Sequence, residues 1–346
     1  MKRRDFLRAS AALGAGAIGI PGAVQAQTRA PRFCDMHAHM GGFRQTTPSF
    51  REAMAAGDLL LVAEKVTPDS PILRLVGSRL ASIREAAPGE LRKYFEDGLQ
   101  RRRQRIRADR LAEVASAETL DRVLAEKTPA IAVSAEGADF LEGDLRYLEH
   151  ARAQGLVHLQ LVHYYTQSLI GDISTQEPRH GGLSAHGKDL VRECNRLKIL
   201  VDVAHCSNLA MEQALDISTK PLVYSHGHIS AEAPRPSQAG SIARAIHLPV
   251  ARRIAERGGV VGLWPNGLVF ANLDLYADEL MRMVKVLGVA HTGVGSDLNG
   301  ITRTIMPTYA QFAALEGALE QRGLAAKDIS AVLGGNYVRV LRESLN

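Results

Sequence analysis

The stretch "ILVDVAH", residues 199–205, is a short run of mostly apolar, β-branched residues that ends in a histidine. A run of this length and composition is typical of a strand buried on both faces of a parallel sheet. Similar runs recur along the chain, separated by helical patterns such as "GKDLVRECNRLK" and "NLAMEQALDIST". The other runs are "RFCDMHA" (32–38), "DLLLVAE" (58–64), "AIAVSAE" (130–136), "VHLQLVH" (157–163), "PLVYSH" (221–226), "GVVGLWP" (259–265) and "TGVGSDL" (292–298).

Eight strands that alternate with helices over about 300 residues predict an α/β fold of the (β/α)8 TIM-barrel type. Residues 66–128 are too many for one connection, so we expect extra helices inserted after the second strand. A doubly wound parallel sheet is the alternative, but no G-x-G-x-x-G sequence follows an early strand. We therefore predict a single barrel domain over residues 27–346.

The first 26 residues are predicted to be an export signal rather than part of the fold. The twin arginines Arg3 and Arg4 precede a Gly/Ala-rich apolar stretch and the sequence "AVQAQT", which resembles a cleavage site near Ala26. The apolar stretch is too short for a comfortable membrane span. We predict twin-arginine export of the folded protein to the periplasm, with the export machinery as a partner. Because no lipobox cysteine stands at the cleavage site, we expect a soluble protein.

The composition argues against a nucleic-acid-binding protein. The formal net charge is +5, and the predicted signal, with four basic residues and one acidic residue, leaves the rest of the chain near +2. The basic run "RRRQRIRADR" (101–110) is interpreted as the solvated face of a helix that covers "EDGLQRRRQRIRADRLAEVASAE" (96–118). Cys34, Cys194 and Cys206 are too few and too unevenly spaced for a disulfide framework or a thiolate metal site.

Side chains that bind metals stand where the predicted strands end. In a parallel barrel the carboxyl ends of all strands open onto one face, where the loops build the active site. Each of these residues could by itself be an ordinary structural residue, but their repetition at one strand end after another favours a site. The candidate metal ligands are His37, His39, Glu136, His205, His226 and Asp297, and His163 ends a further strand.

Four imidazoles and two carboxylates exceed what one open tetrahedral site uses, so they suit two divalent ions with a shared carboxylate. Zn²⁺ is the expected metal, with Mn²⁺, Co²⁺ or Fe²⁺ as alternatives. We predict Glu136 as the bridge, His37, His39 and Asp297 at one ion, and His205 and His226 at the other. Hydroxide generated between the ions would attack an amide carbonyl, while Asp297 would take up and deliver the proton.

Several segments resemble the membrane (renal) dipeptidase family of zinc peptidases from about residue 110 to residue 343. They include "GGLSAHGKDLVRECNRLKILVDVAHCSN" (181–208), "PLVYSHGHISAE" (221–232), "HTGVGSDLNG" (291–300) and "LGGNYVRVL" (333–341). The resemblance implies a (β/α)8 barrel with a binuclear zinc site that cleaves dipeptides. Family members often pair, so a homodimer is one expectation, although no interface is legible in the sequence.

The resemblance also implies roles for single residues. Glu136 matches the bridging glutamate, His205 and His226 the ligands of the second zinc, Asp297 the aspartate of "GSD", and His37 the first histidine of the N-terminal motif. His163 matches a histidine that contacts and polarises the substrate carbonyl. Arg244, in "SIARAIHLP", falls where the family has an arginine that grips the substrate's terminal carboxylate, although the surrounding residues match poorly.

Two departures from the family leave the substrate open. The family reads D-x-H-x-D, but this chain reads "DMHAH", with His39 in place of the second aspartate. The family's "HN" at the substrate histidine is "HYY" (163–165) here. One alternative is therefore a metal-dependent hydrolase of a non-peptide amide, ester or lactone. A second alternative is a non-catalytic barrel that acts as a binding module. Asp35 and Asp202 are equally compatible with orienting an imidazole and with ordinary strand positions, and we expect His228 and His247 to be structural or surface residues.

Overall fold

The computed structural model describes residues 33–40, 49–77, 79–238, 240–301 and 303–346. The predicted export signal therefore lies outside the described residues. The strands are β1 Phe33–Ala38, β2 Leu59–Val66, β3 Leu73–Val76, β4 Arg79–Ser82, β5 Ala112–Glu113, β6 Ala130–Glu136, β7 His158–Gln160, β8 Leu200–Asp202, β9 Val223–Gly227, β10 Ile229–Ser230, β11 Ile246–His247, β12 Val260–Leu263 and β13 Thr292–Val294.

Eight of these strands form a parallel barrel in the order β1-β2-β6-β7-β8-β9-β12-β13, and β5 adds to the edge of β6 beside them. The segment that follows β13 returns to the end of β1 through two backbone hydrogen bonds. The Asp297 amide donates to the His37 carbonyl at 2.8 Å, and the His39 amide donates to the Leu298 carbonyl at 2.9 Å. The predicted (β/α)8 barrel is confirmed, and the closure places the end of β1 beside the segment that follows β13.

Helices surround this barrel. They are α1 Phe50–Ala56, α2 Glu90–Ala108, α3 Ala117–Glu126, α4 Tyr147–Ala153, α5 Ala185–Arg196, α6 Asn208–Ile217, α7 Gly240–Ala243, α8 Leu248–Glu256, α9 Leu273–Leu287, α10 Gln311–Gln321, α11 Ala326–Ser330 and α12 Asn336–Leu345. Over the described ranges, no helix combines the length and the hydropathy that a membrane crossing requires.

The sequence explains these elements locally. Strands β2 and β6 are buried at every position, as expected for strands covered on both faces, which is why they read as nearly continuous apolar runs. Helices α5 and α6 begin where Ser184 and Ser207 accept a hydrogen bond from a first-turn amide, the usual role of a serine at a helix N-terminus. Burial of one helix face then packs each helix against the barrel.

The insertion after β2 is confirmed, but one helix in it is shorter than predicted. The hairpin β3–β4 and the helices α2 and α3 occupy residues 66–128, whereas the single helix expected over 96–118 ends at Ala108. The next residues break it, because Arg110 has a left-handed backbone (φ 52°) and the Asp109 carboxylate accepts the amide of Phe50. Nor are all arginines of the run solvated, since Arg102 pairs with the buried Glu64.

Candidate metal centre

The six predicted metal ligands converge at the C-terminal end of the barrel strands. They come from the ends of β1, β6 and β9 and from the segments that follow β8 and β13. All six are buried, with at most 8% of any of them exposed: His37, His39, Glu136, His205, His226 and Asp297. Their meeting follows from the parallel sheet, because one end of every strand lies on the same rim.

Glu136 lies at the centre of the cluster and faces imidazoles with both carboxylate oxygens. Its Oε1 is 3.3 Å from Nε2 of His37 and 3.3 Å from Nε2 of His205. Its Oε2 is 3.2 Å from Nε2 of His39, and Oε1 is 3.7 Å from Nε2 of His226. A carboxylate with donors around both oxygens has the arrangement that a bridging metal ligand needs.

The remaining contacts link the ligands in two directions. On one side, Nε2 of His39 lies 3.1 Å from Nε2 of His37 and 3.2 Å from Oδ1 of Asp297. On the other, Nε2 of His205 lies 3.3 Å from Nε2 of His226. Every imidazole therefore presents the same nitrogen, Nε2, toward the centre of the cluster.

Among the described residues, three triplets have ligand atoms that all lie within 4.8 Å of one another. One triplet, His37 with His39 and Glu136, agrees with the predicted first ion position. The triplets share members, so the described ligand atoms do not separate into two independent groups, and the predicted partition stays a prediction. The other triplets are His37 with His226 and Asp297, and Glu136 with His163 and His205.

Burial keeps three of the four ligand imidazoles in the protonation state that binds a metal. Burial lowers the pKa of His37, His205 and His226, which keeps their imidazoles neutral, the form that binds a metal. His39 differs: although burial opposes its charge, the Glu136 and Asp297 carboxylates raise its pKa to about 10. Burial also opposes charge on Glu136, yet the neighbouring imidazoles hold its pKa well below the ordinary value. The Glu136 oxygens among the neutral nitrogens of His37, His205 and His226 are a donor set that fits divalent cations, whereas His39 has to release a proton to bind one.

Two of the ligands sit on strained backbone. His205 has φ 67° and Asp297 has φ 49°, in the left-handed region that non-glycine residues seldom adopt. Such conformations persist only where the surrounding structure enforces them, and they concentrate at functional sites. The strain turns both side chains from the strand ends toward the cluster.

Ser225 supports two ligands at once. Its Oγ lies 2.9 Å from Nδ1 of His226 and 3.3 Å from Nδ1 of His37. A hydroxyl oxygen that accepts both Nδ1–H groups leaves the Nε2 lone pair of each ring free for a cation. Ser225 was not predicted from the sequence. The one signal that could have identified it is its position immediately before His226.

His163, the predicted substrate-binding histidine, lies at the edge of the cluster. Its Nε2 is 3.6 Å from Oε1 of Glu136, and its Nδ1 is 2.8 Å from Oδ1 of Asp69. Burial opposes charge on this imidazole, but the Asp69 and Glu136 carboxylates raise its pKa. Asp69 was also missed, although it lies just beyond the carboxyl end of β2, where the strand-end criterion would have found it.

A cavity of about 360 Å³ opens onto the cluster, and Arg244 lies in its wall. The guanidinium stacks 4.4 Å over the ring of Trp264 and is almost fully buried. Its Nε has no hydrogen-bond partner, and no carboxylate among the described residues forms an ion pair with it. A buried cation without a counterion, beside a cavity, is suited to an anionic group of a ligand.

Gly300 leaves the room that this site requires. A Cβ at this position would lie 2.0 Å from Oδ1 of Asp297 and 2.6 Å from Cδ2 of His39. Any side chain here would displace two of the predicted ligands.

The structure shows what Asp35 and Asp202 contact, which the sequence analysis left open. The Asp202 carboxylate lies 3.2 Å from Nε2 of His158, so it orients an imidazole, but not that of a predicted ligand. Asp35 binds backbone amides and hydroxyls rather than an imidazole. Lys65, which also contacts Asp202 and is fully buried, was missed; it is one of two charged residues, with Glu64, in the otherwise apolar strand β2.

A parallel barrel with imidazoles and carboxylates at its C-terminal rim defines the class of metal-dependent, amidohydrolase-like barrels. Residues 89–346 match the family described as membrane dipeptidase (peptidase family M19), so this chain belongs to that family. The resemblance noted in the sequence is thereby confirmed.

Individual relatives agree with this assignment. Dipeptidase tcpJ of Claviceps purpurea (strain 20.1) is 27% identical over 244 residues, which cover 68% of this chain and 56% of the relative. The chain thus spans little more than half the length of that curated relative. A Rhodobacter sphaeroides metallopeptidase solved with a phosphinate mimic of the dipeptide L-Ala-D-Ala superimposes with a TM-score of 0.75 at 19% identity, covering 91% of this chain and 100% of that chain. The metallopeptidase called dipeptidase AC gives a TM-score of 0.77 at 20% identity and covers 91% and 99%. At these identities, the structural similarity establishes the fold.

Proposed function

We propose that this protein is a metallo-dipeptidase that binds two divalent cations, with Zn²⁺ as the expected metal, and hydrolyses the amide bond of dipeptides. The observation that supports this most strongly is the convergence of four Nε2 atoms around the two oxygens of Glu136, with the Asp297 carboxylate 3.2 Å from Nε2 of His39. His37, His39 and Asp297 would hold one cation, His205 and His226 the other, and Glu136 both. Bound cations of this kind supply a nucleophile from water at neutral pH and polarise the carbonyl group.

The residues of the chain would move the protons. Asp297 lies at the cavity wall and can accept a proton from the attacking water and pass it to the departing amine. His163 is held by Asp69 at Nδ1 and is favoured in its charged form, so its Nε2–H can donate a hydrogen bond to the carbonyl oxygen of the substrate. That hydrogen bond would strengthen as negative charge develops on the oxygen.

Arg244 would bind the other end of the substrate. Its guanidinium offers paired N–H donors, which match a terminal carboxylate. Stacking on Trp264 keeps the guanidinium in one orientation, so less of its freedom is lost on binding. The carboxylate would then fix which amide bond lies beside the cluster.

Activity on a substrate panel tests the proposal directly. The full chain, loaded with Zn²⁺, is expected to release free amino acids from dipeptides, and a chelator should abolish this release. Hydrolysis of esters or lactones with no dipeptide cleaved would favour the alternative substrate class. Metal-independent ligand binding without turnover of any panel member would favour a binding module.

His39→Ala is expected to lower the bound Zn²⁺ from about two ions to about one per chain, because it removes a ligand from only one of the proposed positions. Metal analysis of the purified protein measures this. His39→Asp restores the carboxylate of the family motif and should recover the second ion. His247→Ala, a histidine that lies outside the cluster, is the matched control and should keep both ions. An unchanged metal content in His39→Ala would contradict the ligand assignment.

Arg244→Met should raise KM for dipeptides by about 10–100-fold, the value of hydrogen bonds to a charged group, with a smaller effect on kcat. Dipeptides with an amidated C-terminus should lose this difference between the wild type and the variant. Arg253→Met removes an arginine of an exposed ion pair with Asp216 and should leave KM unchanged. An equal loss for free and amidated substrates would argue against carboxylate recognition by Arg244.

We further propose export to the periplasm through the twin-arginine signal of residues 1–26. Replacing Arg3 and Arg4 by lysine should keep the protein in the cytoplasm, since the export machinery reads the arginine pair. Cell fractionation with an antibody against the chain measures the distribution. Unchanged periplasmic accumulation of the double variant would contradict the proposed route.

A further inference from the structure

Two fully buried aspartates, Asp35 on β1 and Asp202 at the end of β8, lie next to the ligand cluster without belonging to any of its triplets. Each accepts hydrogen bonds from backbone amides of two different segments. In both cases, these are segments that carry predicted metal ligands.

Asp35 joins the end of β1 to the segment that follows β13. Its Oδ1 accepts the amide of His37 at 3.1 Å and the amide of Ser296 at 2.9 Å. Ser296 immediately precedes Asp297, whose backbone is left-handed. One carboxylate oxygen thus fixes the spacing between a histidine ligand and the residue before a strained aspartate ligand.

Asp202 repeats this arrangement between the end of β8 and β9. Its Oδ1 accepts the amide of Ala204 at 3.0 Å and the amide of Ser225 at 3.1 Å. Ala204 immediately precedes the left-handed His205, and Ser225 immediately precedes His226. Both aspartates therefore hold the amide before a ligand on strained backbone.

We propose that Asp35 and Asp202 are two equivalent positioning residues, each of which preorganises the ligands of one metal position. Asp35 serves the position of His37, His39 and Asp297, and Asp202 serves the position of His205 and His226. The inference rests on the proposed two-metal site and divides it by backbone contacts rather than by distances between ligand atoms. Fixing strained ligands before a cation arrives lowers the conformational cost of binding it.

The second oxygen of each carboxylate distinguishes the two residues. Oδ2 of Asp35 accepts hydrogen bonds from the hydroxyls of Ser296 and of Tyr309, the latter at 3.0 Å. Oδ2 of Asp202 instead lies 3.2 Å from the ammonium of Lys65 and 3.2 Å from Nε2 of His158. Hydroxyls can either donate or accept, whereas an ammonium can only donate. The two sites should therefore respond differently to an amide.

Zn²⁺ affinity in two backgrounds separates the two positions. His39→Ala leaves the metal position of His205 and His226 intact. His205→Ala leaves the metal position of His37, His39 and Asp297 intact. In the His39→Ala background, adding Asp202→Ala should weaken the remaining Zn²⁺ by about 10–100-fold, the usual effect of losing a residue that orients a ligand. Adding Asp35→Ala to the His39→Ala background should change the affinity for the remaining Zn²⁺ by less than about threefold. In the His205→Ala background Asp35→Ala should have the larger effect, and Asp202→Ala should have a smaller one that acts through Ser225, whose Oγ lies 3.3 Å from Nδ1 of His37. Competition with a chromophoric chelator measures each affinity on the full chain.

Asparagine variants keep the test decisive if an alanine variant does not fold. Asp35→Asn retains an oxygen for both amides and turns its NH2 group to hydroxyls that can accept, so Zn²⁺ affinity should stay within about threefold of the parent. In Asp202→Asn the amide NH2 group would lie opposite the Lys65 ammonium, so that two donors meet, and the Zn²⁺ affinity should fall. Adding Lys65→Met to Asp202→Asn removes that conflict and should restore the affinity. Thermal unfolding of each variant confirms that it is folded.

Equal losses at both positions from either aspartate would overturn the inference, because a merely structural role does not distinguish the two backgrounds. A failure of Lys65→Met to restore Asp202→Asn would also overturn it. Absence of Zn²⁺ binding by the wild-type chain is a different result: it would overturn the proposed function itself, and the positioning roles with it.

Discussion

Glu136→Gln is expected to reduce kcat/KM for dipeptides by at least about 10³-fold, equivalent to about 4 kcal/mol of transition-state stabilisation. The Glu136 carboxylate is the group that both sets of imidazoles face, so a neutral amide would weaken both cation positions at once. Bound Zn²⁺ should fall below one ion per chain, whereas His39→Ala should retain about one. Steady-state kinetics and metal analysis on the same preparation measure both effects.

Glu142→Gln provides the matched control, because it makes the same chemical change six residues further on. The Glu142 carboxylate accepts amides at the start of α2 and has no contact with the cluster. This variant should lose stability but keep its metal content and its kcat/KM. Retention of two ions by Glu136→Gln would contradict the proposed bridge, whatever its activity.

Asp297→Asn is expected to lower kcat by about 10²–10⁴-fold, the contribution typical of a general acid–base group. The amide keeps one oxygen that can face a cation but cannot accept a proton from water. Metal content should therefore fall much less than in Glu136→Gln, while the rate falls by a similar order. Kinetics normalised to bound metal distinguish the loss of a proton acceptor from the loss of a ligand.

Asp278→Asn serves as the control for this prediction, since Asp278 forms an exposed ion pair with Arg322 and does not line the cavity beside the cluster. Its kcat should match that of the wild type. If the Asp297→Asn variant bound its full complement of metal and kept the wild-type kcat, another residue would have to carry the proton. His163, whose charged form is favoured, would then be the next candidate.

The backbone around Asp297 accounts for the large effect expected of Asp297→Asn. Asp297 points at the cluster because its backbone is left-handed and because the amide before it is held by Asp35. Gly300, three residues on, leaves the space in which this side chain sits. A side chain placed correctly by its surroundings pays little reorganisation cost during the reaction, which is why one proton acceptor can be worth several kcal/mol.

Much of this protein could be predicted from its sequence, because strand patterning and strand ends are local properties. Apolar runs such as "ILVDVAH" indicate strands buried on both faces, and a parallel barrel then brings all their carboxyl ends to one rim. That geometry alone gathers His37, Glu136, His205 and Asp297, although these residues are far apart in the chain. The barrel, the insertion after β2 and the candidate ligands needed no further information.

Only the tertiary structure decided how those ligands are held. Asp69 reaches His163 across 94 residues and Lys65 reaches Asp202 across 137, and no local pattern encodes contacts between side chains so distant in sequence. The same limit applies to Arg244, which became a candidate through a weak resemblance and is placed in the cavity wall by its packing on Trp264. Periodicity specifies which face a residue takes, whereas the partner that it meets there depends on the closure of the whole barrel.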